Sequence, residues 1–123
     1  DAVQIEGTDI ANKIRTCHRI KDHSAEPLAL TGQLVLGGKE CLSEDLISSR
    51  DELFAVALDD GSSIFKRFGG LLPGQLNHIC LFESIGGRGA STIASLKKTH
   101  GLGTEIRSIE TVRRILGVIF EGN

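Results

Sequence analysis

Two residue types in this chain could make a nucleophile and its base. Ser24 stands in "DHSAEPLALTGQLVL", a polar turn that leads into an apolar run, with Pro27 and Gly32 behind it. A serine hydroxyl is a poor nucleophile at its free pKa and needs a neighbouring base. Lys66 stands in "VALDDGSSIFKRF", and a lysine can serve as that base when burial disfavours its ammonium form. Strand alternation puts Ile64, Lys66 and Phe68 on one face. Two of those three are hydrophobic, so Lys66 is directed at a partly buried surface, with Phe65 and Phe68 as apolar neighbours. Taken singly, Ser24 reads as a turn serine and Lys66 as a lysine whose stem lies over apolar neighbours. The pair, a nucleophile with its base, carries the chemical reading.

The elements that must position the pair are mostly strands. "RTCHRIKD" alternates loosely and runs into the Ser24 turn. "GQLVLGG" is a short strand with glycine at both ends, and "LSEDLISSRDE" is a loop or a short helix. The clearest element is the pair of β-rich runs around "DDGS". Asp60-Gly61 is a hairpin signal there because glycine tolerates the positive φ such a turn requires. "QLNHICLFESI" is a further strand and "VRRILGVIFE" a closing one. "STIASLKKTHG" has Ile93, Leu96 and Lys97 at helical spacing, which predicts a short helix with Ser91 as N-cap and Gly101 as stop. Strand-rich segments divided by turn signals predict a mainly β, largely antiparallel fold with one short helix.

Composition narrows the function. The chain has 123 residues, 40% hydrophobic and 24% charged, as expected for one globular domain. No apolar run reaches the ~20 residues that span a bilayer, so no membrane association is expected. The net charge of -2 argues against a general nucleic-acid surface. The odd cysteine count (Cys17, Cys41, Cys80) and the lack of a CxxC argue against a disulfide scaffold or a zinc site and for a reducing cytoplasm. Cys80, in "HICLF", reads as a small buried hydrophobe. His18, His23, His78 and His100 show no metal-ligand spacing. His23 adjoins Ser24, but strand neighbours point to opposite faces, so it reads as solvated. Neither a metal nor a cofactor is expected. "ESIGGRGASTIASLKK" occupies the place of a phosphate loop but lacks both glycine-rich spacings. Gly86, Gly87 and Gly89 read as a flexible loop, and Arg88 as a weak anion candidate. Arg113 and Arg114, in "ETVRRIL", read as a solvated charged edge.

The segments together resemble a known family. "DHSAEPLALTGQLVL" resembles the Ser-x-x-Pro … Gly-Asp-leu-val segment of the LexA-like, phage-repressor-type self-cleaving peptidases. "VALDDGSSIFKRF" resembles their hairpin, which carries the catalytic lysine in a val-Lys-Arg-leu context. "RRILGVIFEG" resembles their closing strand, and the three segments occur in the family order from Asp22 to Gly122. The resemblance implies a barrel-like antiparallel peptidase and dimerisation domain over 22–123, behind a lead-in segment 1–21. It implies Ser24 as nucleophile and Lys66 as general base. The parent would be a dimeric repressor of the SOS type, binding DNA through a separate N-terminal domain and cleaving itself in response to DNA damage when a RecA filament stimulates it. Three departures stand out. Ala25 replaces the usual Met, Gln33 replaces a common acidic residue, and 86–104 is longer than the family loop and does not align with it. No Ala-Gly cleavage site precedes Ser24. Two alternatives follow: a non-cleaving dimerisation or ligand-sensing domain of a prophage-type regulator, and an anion- or nucleotide-binding domain built on "GGRGAS".

Overall fold

The computed structural model describes residues 12–21, 29, 32–73, 78–86, 90–98 and 106–119. Among the described residues, the complete elements follow in the order β1 (Thr16–Arg19), β2 (Leu34–Glu40), the short helix α1 (Ser43–Ile47), β3 (Leu53–Leu58), β4 (Ser63–Leu71), β5 (Ile79–Glu83), β6 (Thr92–Ser95) and β7 (Arg107–Ile119). The strands form one sheet, ordered β1-β2-β7-β3-β4-β5-β6. Every neighbouring pair in that order is antiparallel. β6 also returns to β7 through two parallel register pairs, Ala94 with Arg107 and Ser95 with Ser108. The fold is mainly β, as the strand signals predict.

The β3–β4 hairpin forms where Asp60-Gly61 places it. Gly61 has φ +87°. The Asp60 carboxylate accepts from the backbone N–H and the hydroxyl of Ser62, which fixes the turn and holds the Asp60 carboxyl below its usual range. Two apolar clusters lie on opposite faces of this hairpin, as strand alternation requires. The larger joins Phe54, Val56, Leu58, Phe68, Cys80, Phe82, Ala94, Val112 and Leu46 of α1. The smaller joins Ala55 and Phe65 to Val35, Ile20 and Ala29. Phe68 is the ring that the other two meet, with Phe54 edge-on at 6.4 Å and Phe82 tilted at 5.7 Å.

The helix predicted over 91–101 is not formed where it can be seen. Thr92–Ser95 is β6, paired with β5 and β7. Ala94 and Ser95 are both fully buried, so a segment expected to be loop and helix supplies a strand of the core. Backbone pairing on two sides outweighs the weak helical spacing, and Thr92 and Ile93 are β-branched residues that suit a strand. The short helix is α1 instead, within the segment left open between loop and helix. β7 is longer than predicted, and "ETVRRIL" lies in its middle rather than at its edge. Of the lead-in segment expected over 1–21, residues 1–11 fall outside the described residues.

Candidate functional site

Lys66 lies at the centre of β4, opposite Phe54 of β3. Only 7% of the residue is exposed. Ile64 and Phe68, two positions to either side, both pack into the larger core. The lysine therefore occupies the core-facing side that alternation predicts. Its Nζ donates to the backbone carbonyl of Ala90 at 2.9 Å. That carbonyl belongs to the stretch just before β6, which is carried against β4 by the pairing of β6 with β5. Sequence reasoning missed Ala90, because nothing in an alanine marks a carbonyl that will meet a lysine from a distant strand.

Ser24, Pro27 and His23 lie outside the described residues. The two ends of their segment are described, and both lie close to the lysine's strand. Ile20 on one side and Ala29 on the other pack with Phe65, the residue before Lys66. Gly32, with φ +91°, donates its N–H to Ile20 O, and Ile20 N–H donates to Gln33 O. A cavity of about 430 Å³ opens beside the point where the chain leaves β1. Its walls include His18, Ile20 and Lys21 on one side and Ser62, Ser63 and Phe65 on the other. His18 stacks edge-on against Phe65 at 5.5 Å, and its Nε2 is 3.1 Å from Thr16 Oγ1. Burial, and then the nearby Arg113 charge, hold its imidazole below the usual pKa.

Family models, curated proteins and solved structures were compared with the chain. Nothing matches in any of the three.

The other sequence-predicted positions divide. Gly86 is exposed, Gly87, Arg88 and Gly89 fall outside the described residues, and Ser91 caps no helix. Arg114 is exposed, as expected, and Arg113 half-buried, but both are engaged. Arg113 donates to Gly38 O at 3.0 Å. Arg114 donates to Glu52 at 3.0 Å and to Ser49 Oγ at 2.6 Å, and lies over the Phe54 ring at 5.9 Å. The antiparallel pairing of β7 with both β2 and β3 brings these partners to the arginines. Hydrogen bonding from Arg114 holds the Glu52 carboxyl below its usual range. Cys80 is fully buried, and burial pushes its thiol up to about 11. Cys17, Cys41 and Cys80 are all free thiols. No helix among the described residues is long and apolar enough to cross a membrane.

Proposed function

We propose that this is the self-cleaving, dimerising domain of a LexA-like or phage-type repressor, with Ser24 as nucleophile and Lys66 as general base. The observation that carries the reading is the burial of Lys66 on the core-facing side of β4, with its amine held by a backbone carbonyl. A buried lysine is uncommon, and burial favours the neutral amine over the ammonium. Donation to Ala90 O orients the amine, and its neutral form would take the proton through its lone pair. The family's barrel-like arrangement belongs to the same proposal, and the return of β6 to β7 supports it.

The reaction follows from those roles. Lys66 takes the Ser24 hydroxyl proton as Oγ attacks a backbone carbonyl carbon of the parent chain. Backbone N–H groups stabilise the resulting oxyanion. The C–N bond breaks, and the leaving amine takes the proton back from Lys66. Water then hydrolyses the Ser24 ester. The substrate is part of the same chain, so proximity supplies much of the acceleration. DNA binding would reside in a separate domain, and a RecA-type filament would act as the stimulus. The working protein would be a cytoplasmic dimer.

A specific observation also supports association. Residues 115–119 of β7 pair with β2, whereas β3 pairs only as far as Arg114. The apolar end of β7 therefore has one open edge among the described residues, and open edges invite pairing. The same fold without productive cleavage, serving as a dimerisation or ligand-sensing module, is the second reading that this edge favours.

The test is incubation of the intact parent alone across an alkaline pH series, beside Ser24→Ala and Lys66→Arg. Cleavage should rise with pH and vanish in both variants, because guanidinium does not lose its proton in a protein. A Lys66→Arg protein that cleaves like wild type removes the Ser-Lys mechanism. If no form cleaves even with an activated recombinase filament, the non-cleaving module is the correct reading. Sedimentation as a monomer at high concentration would remove the dimer.

A further inference from the structure

A second cavity, of about 320 Å³, lies at the Gly38–Lys39 end of β2, and its chemistry is unlike that of the first. Four cations converge on it: Lys13 and Arg15 from the approach to β1, Lys39 from β2, and Arg114 from β7. Gly38 and Leu116 supply its apolar wall, and no carboxylate lines it among the described residues. The chain as a whole is net negative, so this concentration of positive charge is local and arises from folding. β1 pairs with β2, and β2 with β7, which brings residues from both ends of the sequence together.

The charges are only partly neutralised. Lys13 and Lys39 form no ion pair among the described residues. Arg15 donates to two backbone carbonyls, Asn12 O at 2.6 Å and Ile14 O at 3.1 Å, which orient it without cancelling its charge. Of the four, Arg114 alone has a carboxylate partner among the described residues, Glu52, and with Ser49 and the Phe54 ring it is fixed in place before any ligand arrives. Two oriented guanidinium groups and two ammonium groups with no ion pair among the described residues surround one small cavity, which makes a site for an anion with more than one negative charge. Guanidinium forks suit the oxygens of a phosphate group, and the cavity is at the small end of the range for organic ligands.

We propose that this cavity binds a small phosphorylated metabolite: the phosphate group lies between Arg15, Lys39 and Arg114, and the organic part lies against Gly38 and Leu116. The site is independent of Ser24 and Lys66, so it stands whether or not the chain cleaves itself. A ligand here would bridge the approach to β1, β2 and β7, and would fasten the outer strand to the centre of the sheet.

The experiment is a titration of the whole isotope-labelled chain, followed by amide resonances. The probes are inorganic phosphate, pyrophosphate and adenosine monophosphate, each at constant ionic strength set with chloride. Saturable shifts at Gly38, Lys39 and Leu116 are expected, with the nucleotide binding more tightly than inorganic phosphate. Lys13→Glu/Lys39→Glu should weaken binding by roughly tenfold or more. Lys97→Glu/Lys98→Glu, an exposed pair elsewhere, should leave it unchanged. Arg114→Lys, which keeps the charge but loses the fork, should weaken all three phosphate probes. Shifts that do not saturate, that spread evenly over all lysines, or that persist in Lys13→Glu/Lys39→Glu would overturn the proposal. Equal affinity for phosphate and nucleotide would remove the organic part of the site and leave a bare anion pocket in place of the proposed metabolite site.

Discussion

Replacement of Phe68 tests how the hydrophobic interior is joined. The side chain is completely buried and meets the rings of both Phe54 and Phe82. Its backbone also ties β4 to the turn after α1, since Phe68 N–H donates to Glu52 O and Asp51 N–H donates to Phe68 O. Those bonds survive any side-chain change, so the loss isolates packing. Phe→Ala in a core costs about 3–5 kcal/mol, against a total of about 5–15 kcal/mol for a domain of this kind. Phe68→Ala should therefore leave a barely folded protein. Phe68→Leu retains most of the apolar volume but loses both ring contacts, each about 0.5–1.5 kcal/mol. Its expected loss is about 1–3 kcal/mol, or roughly 4–12 °C in Tm. Combined with Phe82→Leu, it should show a coupling of about 0.5–1.5 kcal/mol. The chain has neither Trp nor Tyr, so urea unfolding is best followed by far-ultraviolet circular dichroism. Strict additivity of Phe68→Leu and Phe82→Leu, or a loss below about 1 kcal/mol for Phe68→Ala, would refute a shared aromatic core.

Other expectations are more local. Cys17 is exposed and Cys80 buried with its thiol at about 11, so iodoacetamide under native conditions should alkylate Cys17 long before Cys80, with mass spectrometry of digests as the readout. Equal labelling would contradict the burial of β5. The His18 imidazole is held below its usual pKa, so the unfolded chain takes up its proton first as pH falls. Stability should then drop as pH goes below ~6.5 and level off below the folded-state value. His18→Gln should lose that part of the acid sensitivity in urea titrations at several pH values, and an unchanged pH profile would refute the assignment. Gly70 has φ +104°, and the nearest atom to an added Cβ is Arg50 Nε at 3.7 Å. Gly70→Ala therefore meets no clash, only backbone strain of about 1–3 kcal/mol, which the same urea titrations would register or fail to register.

The hairpin was the most legible part of the sequence. Its strand alternation, the Asp60-Gly61 turn and the core-facing side of Lys66 all depend on residues within a few positions of one another. β6 was illegible for the opposite reason. Its four residues are held by β5 and β7, and the burial of Ala94 beside Ser95 follows no alternating pattern. The roles of Arg113 and Arg114 were hidden likewise, because Gly38, Ser49 and Glu52 reach them only through pairing between distant strands. Ala90 met Lys66 in the same way, and so did the cations that gather between the approach to β1 and β7. Local chemistry announced the lysine, while long-range register chose its partner.

The central place of β7 governs how the chain can fold as it is made. β7 lies between β2 and β3 and leaves the ribosome after both. Until then the inner edges of β2 and β3 have no strand between them, and the sheet exists as two separate pieces. At about 5–20 residues per second, the interval between β3 and β7 lasts several seconds, during which two strand edges are open to other chains. Folding that depends so heavily on distant pairing is slow for its size. The nascent chain is therefore most prone to aggregation just before its thirteen-residue strand arrives, and a holdase chaperone has the most to protect at that point.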